Sequence, residues 1–191
     1  GGKLLRYTQR NNNFKVMYAP NIHYRRSDIM RCAVSPIDIK GNIWMFVGEQ
    51  AFRYNIYTNE GCEMALRCSD NSLTFTAIAP INSSTLYIGT KGGVYKGVID
   101  ERTIDISPIE NMQGTDINVN TFYYSPTYQT LLIGTEDAGI IAYRETTNEV
   151  VQHKELLPDV RVTKIIPHGK HDEVLFATNA ACVYRMSFED C

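Results

Sequence analysis

Short apolar runs separated by compact polar turns recur along the chain. Leu86-Tyr87-Ile88 leads into Gly89-Thr90-Lys91-Gly92-Gly93 and then Val94-Tyr95. The apolar run is rich in β-forming residues. The glycines tolerate positive φ, which a hairpin reversal needs. The stretch therefore predicts a strand, a tight turn and a return strand. The same order appears in Ile43-Trp44-Met45-Phe46-Val47-Gly48 leading to Phe52-Arg53-Tyr54-Asn55. It returns in Leu131-Leu132-Ile133-Gly134-Thr135 with Gly139-Ile140-Ile141-Ala142-Tyr143-Arg144, and in Val174-Leu175-Phe176-Ala177-Thr178 with Cys182-Val183-Tyr184-Arg185.

The anchors of this repeat are Gly48, Gly89, Gly134 and Ala177, spaced 41, 45 and 43 residues apart. A tyrosine recurs in each return strand, at Tyr54, Tyr95, Tyr143 and Tyr184. A period in the low forties with several short strands per unit is the signature of a propeller blade. No strong amphipathic helix interrupts it. The expected fold is all-β, a β-propeller of four-stranded antiparallel blades.

The strands are expected at 29–34, 43–48, 51–55 and 62–67, then at 73–79, 85–90, 93–99 and 104–106. They continue at 117–123, 130–135, 139–144 and 150–153, and at 162–166, 173–178 and 182–186. Residues 1–19 read as the end of a preceding blade, with Asn11-Asn12-Asn13 as a turn that accepts left-handed geometry. Blades are expected over 28–68, 70–110 and 115–155, with a partial blade over 160–191. About four blades are expected, and a chain that starts and stops inside a blade reads as a segment of a larger propeller. Its open terminal faces would be apolar, so self-association is expected.

Composition narrows the function classes. The 191 residues suffice for one sizeable core, and the hydrophobic (43%) and charged (21%) fractions are those of a globular domain. A formal net charge of −2 offers no basic field, so no nucleic-acid partner is expected. No run approaches the ~18 apolar residues of a membrane span. The five cysteines, Cys32, Cys62, Cys68, Cys182 and Cys191, include no Cys-x-x-Cys pair, which argues against a zinc or thioredoxin-like site. Cys62 and Cys68 are close enough in sequence to pair across a turn; the alternative is that they are small buried apolar groups.

Two stretches carry a family resemblance. One is Asp116-Ile117-Asn118-Val119-Asn120 with Ile133-Gly134-Thr135, Gly139-Ile140 and Tyr143-Arg144-Glu145-Thr146. The other is Asp70-Asn71-Ser72-Leu73 with Leu86-Tyr87-Ile88-Gly89-Thr90 and Gly92-Gly93-Val94-Tyr95. Together they resemble the two-component regulator propeller repeat, and the likeness extends over nearly the whole chain. It departs at Val47-Gly48-Glu49 and at Ala177 and Ala180, and the family's tryptophan survives only at Trp44. WD40 repeats fit less well, because the chain has one Trp and no Trp-Asp dipeptide, and kelch repeats fit less well because their later Tyr and Trp positions are missing. The resemblance implies the periplasmic or extracellular sensor of a hybrid two-component histidine kinase of gut bacteria, often responsive to polysaccharide breakdown products. It also implies an inner-membrane receptor that meets the membrane only through other parts of the protein.

Candidate chemistry is sparse. His168-Gly169-Lys170-His171-Asp172 is the best local candidate for a metal, but the spacing falls in a turn, and a solvated turn is the expected reading. No nucleophile elbow or phosphate-cradling loop is present, so no catalytic residue, metal or cofactor is expected. In a propeller, ligands commonly bind on the face carrying the turns between second and third strands. That face is expected to carry Tyr24, Arg25, Arg26, Asn71 and Lys91. It also takes Asp116, Glu136, Asp137, Arg161 and Asn179, with Glu49 and Gln50 beside them. Mixed hydrogen-bonding groups with some aromatic surface suit a sugar, such as an oligosaccharide, or a peptide. The recurring tyrosines are expected to pack between blades. The expected role is a non-catalytic sensor; the alternatives are a protein-binding scaffold and a propeller-type lyase or hydrolase.

Overall fold

The computed structural model describes residues 3–23, 32–70, 73–112, 117–152, 160–169 and 173–188. Strands dominate, and the helical pieces among the described residues are short 3-10 turns, such as those at Gln9–Asn11 and Glu110–Met112. A hairpin opens the chain, β1 (Leu4–Thr8) against β2 (Asn13–Tyr18). A first unit follows: β3 (Cys32–Val34), β4 (Asn42–Val47), β5 (Gln50–Asn55) and β6 (Glu60–Cys68). The second unit is β7 (Phe75–Pro80), β8 (Thr85–Thr90), β9 (Gly93–Asp100) and β10 (Thr103–Pro108). The third is β11 (Val119–Ser125), β12 (Thr130–Thr135), β13 (Ile140–Arg144) and β14 (Glu149–Gln152). The last contains β15 (Val162–His168), β16 (Glu173–Thr178) and β17 (Val183–Ser187). Each unit is an antiparallel meander, as the repeat predicts.

The second strand of a unit is apolar at nearly every position because both of its faces are covered. All six residues of β12 are buried. Four apolar clusters lie between successive units. Leu4, Met17 and Tyr18 of the opening hairpin meet Met45, Val47, Phe52 and Tyr54. Ala33, Trp44 and Phe46 meet Phe75, Ile78, Leu86 and Ile88. Ala77, Tyr87 and Val94 meet Val119, Leu131, Ile133 and Tyr143. Leu132, Ile140 and Ala142 meet Val162, Ile165, Val174 and Phe176. Burial of this kind, at roughly 25 cal/mol per Å² of apolar area, is the main stabilising term between the sheets.

The first turn of the first unit is held by one carboxylate. Asp38 accepts from the backbone N–H groups of Lys40 and Asn42 (both 2.8 Å), from Asn42 Nδ2 (3.0 Å) and from the buried Trp44 indole N–H (3.2 Å).

Two sequence expectations need correction. The first two units are not separate four-stranded sheets. Their outer strands β6 and β10 pair in parallel, from Ala65↔Thr103 to Cys68↔Ile106, making one eight-stranded sheet in the order β3-β4-β5-β6-β10-β9-β8-β7. Ala65 N–H donates to the Arg102 carbonyl at 2.8 Å. Ile104 and Ile106 are buried in the cluster that joins the two units, which draws β10 alongside β6.

The second correction concerns the anchor glycines. Gly89 pairs with Ala77 and Val94, and Gly134 pairs with Thr121 and Ile140. The equivalent residue of the first unit, paired with Ala33 and Ala51, is Phe46 rather than Gly48. Gly48 lies in the turn with φ +59 and open space around it. Gly89 and Gly134 have no positive φ. A Cβ on Gly89 would lie 2.5 Å from Val119 Cγ1, and one on Gly134 would lie 2.7 Å from Val162 Cγ1. These glycines recur because the inner strand of the next unit presses on them, not because the turn needs them.

Of the two readings of Cys62 and Cys68, the structure takes the small apolar group: both lie on β6, roughly 20 Å apart by the strand rise, as free, half-buried thiols packed against the cluster that joins the first two units.

Candidate functional site

The turn after the second strand is built the same way in the second and third units. Thr90 Oγ1 donates to the Gly93 carbonyl at 3.0 Å and accepts from Gly92 N–H at 3.1 Å. Thr135 Oγ1 donates to the Gly139 carbonyl at 2.9 Å and accepts from Ala138 N–H at 2.8 Å. The hydroxyl thus closes the turn from inside, where it is buried. The following residue is then pinned to the backbone just ahead of its own inner strand. Lys91 N–H donates to Thr74 O (3.2 Å), Glu136 N–H to Asn118 O (2.8 Å) and Asn179 N–H to Arg161 O (3.1 Å). Lys91, Glu136 and Asn179 therefore occupy one position of three successive units, on one face.

Three of the residues expected on that face meet at the junction of the third and last units. Arg161 Nε lies 3.1 Å from Glu136 Oε2. Asn120 Nδ2 donates to the same Oε2 at 2.9 Å and to the Val162 carbonyl at 3.3 Å. Asn179 joins through its backbone bond to Arg161. The Glu136 and Arg161 side chains are about half exposed (42% and 49%), so the cluster is open to a ligand. It offers a carboxylate, a guanidinium and an amide within one hydrogen-bonded patch. Asp137 is exposed at the tip of the same turn, and Lys91 stands one unit away. Tyr24, Arg25, Arg26, Asn71 and Asp116 lie outside the described residues. Asn120 was not among the expected residues; the polar–apolar alternation of Asn118-Val119-Asn120 was the signal that could have found it.

A second cluster, at the other end of the strands, had no counterpart in the sequence reading. Glu145 accepts from Tyr124 OH at 3.0 Å and faces Lys96 Nζ at 3.8 Å, which ties the third unit to the second. The Tyr87 ring packs on Tyr124 and Tyr143, with centroids 6.3 and 5.9 Å away. Its hydroxyl is buried and faces the Glu145 carboxylate and the Tyr143 hydroxyl, with no partner at ordinary hydrogen-bond geometry among the described residues. Burial, and then the Glu145 charge, push the Tyr87 phenol well above its ordinary range. Tyr124 is pushed up to about 12, by burial first and then by its bond to Glu145. Burial likewise raises Tyr143.

The recurring tyrosines divide into two levels. Tyr54 and Tyr143 are buried and stack or edge-pack on Tyr18 and Tyr87 of the preceding element. Each hydroxyl donates to an asparagine in left-handed conformation five residues on, Asn59 (φ 58, 3.1 Å) and Asn148 (φ 55, 2.9 Å). Tyr7 does the same with Asn12 (φ 45, 2.9 Å). Tyr95 and Tyr184 sit nearer the turn, opposite Ile88 and Phe176. His168 is exposed, while His171 and Asp172 lie outside the described residues. Among the described residues no group of three or more metal-binding side chains converges. No helix among them is long and apolar enough to cross a membrane.

No protein-family model matches the sequence, and no curated protein sequence matches it. Solved structures are similar. The extracellular domain of a hybrid two-component system, BT4673 from B. thetaiotaomicron, matches all of this chain with TM-score 0.67 and 17% identity. A GH74 enzyme from Niastella koreensis matches 83% of the chain with TM-score 0.61 and 16% identity. The Cps50 (Swd1) β-propeller domain of Myceliophteria thermophila matches 81% with TM-score 0.61 and 9% identity. The chain spans 24% of the BT4673 domain, 28% of the GH74 enzyme and 50% of the Cps50 domain. At these identities the likeness is one of fold, and the fold of this chain is that of a β-propeller.

Proposed function

We propose that this chain is part of the extracellular or periplasmic ligand-sensing propeller of a two-component receptor, and that it is non-catalytic. The repeat boundaries 28–68, 70–110, 115–155 and 160–191 are then its blades, preceded by the end of another at 1–19. The observation that carries the reading is the Glu136–Asn120–Arg161 cluster, which draws its groups from two adjacent units on the face that carries the second-to-third strand turns. The likeness of the whole chain to 24% of the extracellular domain of a hybrid two-component system supports the setting. Oligosaccharides are the proposed ligand class. Vicinal hydroxyls can donate to the carboxylate and accept from the guanidinium and amide at once. A ligand that takes over half of the Glu136–Arg161 pair also changes what joins two neighbouring units, which is a route from binding to a shift in packing. Titration calorimetry of this chain and of the intact extracellular domain with an oligosaccharide panel tests the reading. Saturable binding lost in both Glu136→Gln and Arg161→Ala supports it; binding unaffected by both removes the site.

A second reading, a glycoside hydrolase, is favoured by one observation, the likeness to the GH74 enzyme. It requires two carboxyl groups facing each other about 5–10 Å apart across a glycosidic bond. Release of reducing ends from candidate polysaccharides, abolished by Glu136→Gln, would establish it over the sensor reading.

A further inference from the structure

The Glu136–Asn120–Arg161 cluster has a counterpart one junction earlier, with the acid replaced by a base. The inner strands β7, β11 and β15 each carry a one-residue bulge in the same register, between Phe75 and Ala77, Val119 and Thr121, and Val162 and Lys164. The inserted residues are Thr76, Asn120 and Thr163. A bulge re-aims the side chain of its extra residue. At Asn120 the amide reaches Glu136 Oε2 and, across the junction, the Val162 carbonyl. Lys91 and Glu136 are equivalent because each N–H donates to the carbonyl two residues ahead of the bulge, at Thr74 and Asn118. Asn118 in turn stands where Arg161 does, since Asn179 N–H donates to the Arg161 carbonyl. The junction of the second and third units therefore places Lys91, Thr76 and Asn118 at the positions of Glu136, Asn120 and Arg161.

The chemistry of the two sets differs. Glu136 is neutralised by Arg161, and its Oε2 is also taken by Asn120. Lys91 is exposed and makes no ion pair among the described residues. Asn118 is half-buried and bonds through its carbonyl, which leaves its side-chain amide free to donate. At the place of the Asn120 amide, Thr76 Oγ1 is buried and has no hydrogen-bond partner among the described residues. Nothing among these residues holds the Lys91 ammonium, so its charge is open to a ligand. The turn residue of the first unit that follows Val47, the partner of Cys32, is Gly48, which has no side chain to add.

We propose that the junction of the second and third units is a subsite for an anionic group, a carboxylate or a sulfate ester, carried by the oligosaccharide whose hydroxyls the Glu136–Asn120–Arg161 cluster takes. The inference rests on the sensor reading of that cluster and specifies its ligand as an acidic oligosaccharide. Sheets pack about 10 Å apart, so a short run of sugar rings reaches from one junction to the next. The two ends of such a ligand are not interchangeable. At the junction of the third and last units, an anion would meet Asp137 and an Arg161 that is already paired. At the earlier junction it meets an unpaired ammonium and an amide donor. Charge-assisted hydrogen bonds are stronger than neutral ones, so the anion sets which ligand is preferred.

Titration calorimetry of this chain and of the intact extracellular domain tests this. The probes are uronate trisaccharides, each beside its methyl ester, and sulfated trisaccharides, each beside its desulfated form. The charged member of a pair is expected to bind at least about tenfold more tightly, with the advantage shrinking as salt rises. Whether uronates or sulfates show it identifies the anion. Lys91→Met should abolish the advantage, and Lys91→Glu should reverse it. Both substitutions change an exposed side chain in a turn held by backbone and Thr90 hydroxyl bonds, and thermal melts check that the variants fold. Glu136→Gln, by contrast, should weaken the charged and neutral members alike. Neutral members that bind as tightly as charged ones overturn the inference and leave the sensor reading standing. An advantage that survives Lys91→Glu overturns it in the same way. Binding of neither member of any pair overturns both.

Discussion

Glu136 and Arg161 meet across the junction of two units, carboxylate Oε2 to guanidinium Nε at 3.1 Å, with both side chains about half in water. In that setting solvent and salt screen the attraction, and an exposed pair contributes about 0–1 kcal/mol. Glu136→Gln is therefore expected to shift the unfolding free energy by less than about 1 kcal/mol, and by less still at high salt. Urea titrations at two ionic strengths measure it. A cost several times larger would mean that the pair holds the junction together and is unavailable to a ligand.

Gly134→Ala is expected to destabilise by about 1–3 kcal/mol through overpacking. The added methyl carbon would stand 2.7 Å from both Thr121 Cγ2 and Val162 Cγ1, and two packed strands would have to separate. Gly48→Ala meets no neighbour, and its penalty is the left-handed backbone alone, about 1–2 kcal/mol. The discriminating measurement is the response to a relieving change. Val162→Ala should recover part of the loss in Gly134→Ala and none of the loss in Gly48→Ala.

Removing the Tyr87 hydroxyl should be neutral or stabilising. That oxygen is buried and meets the Glu145 carboxylate and the Tyr143 hydroxyl at less than ordinary hydrogen-bond geometry, so little bond energy offsets its desolvation. Tyr143→Phe deletes a bond to Asn148 and should cost about 1 kcal/mol. Equilibrium denaturation of the two variants side by side would show opposite or clearly unequal shifts; equal losses would mean that Tyr87 does have a partner.

Alkaline pH should weaken the fold from about pH 10 upward. The Tyr124 phenol, ordinarily near 10.0, is held up to about 12 by burial and by its bond to Glu145. The unfolded chain releases that proton near pH 10 while the native chain keeps it, so the unfolded state binds fewer protons in this window. The stability this group provides is complete below pH 10 and is lost as pH rises through about 12. Burial acts in the same direction at Tyr87 and Tyr143. Melting temperature between pH 8 and 12 should fall, and Tyr124→Phe should flatten the fall.

Much of the fold was legible in local pattern. Strands such as Thr85–Thr90 and Thr130–Thr135 stand where the apolar runs place them. The face shared by Lys91, Glu136 and Asn179 followed from the repeat, because residues in one repeat register share a face when each unit folds alike. The alignment slipped by two residues at Gly48, because a glycine that serves a turn and a glycine that admits a neighbour look the same in sequence. The Tyr124–Glu145–Lys96 cluster was not visible, since its members come from two strands and a turn and no local spacing links them.

The sequence by itself determined the strand-and-turn content, the period and the placing of the second-to-third strand turns on one face. These depend on alternation, turn residues and repetition, all of which act over a few residues. Only the tertiary structure decided that β6 and β10 join in parallel, that Val119 and Val162 close on the anchor glycines, and that Glu136 reaches Arg161 rather than Asp137 doing so. Those outcomes depend on how far one sheet advances and twists relative to the next. That geometry is set by the summed packing of whole faces and is written in no single stretch of the chain.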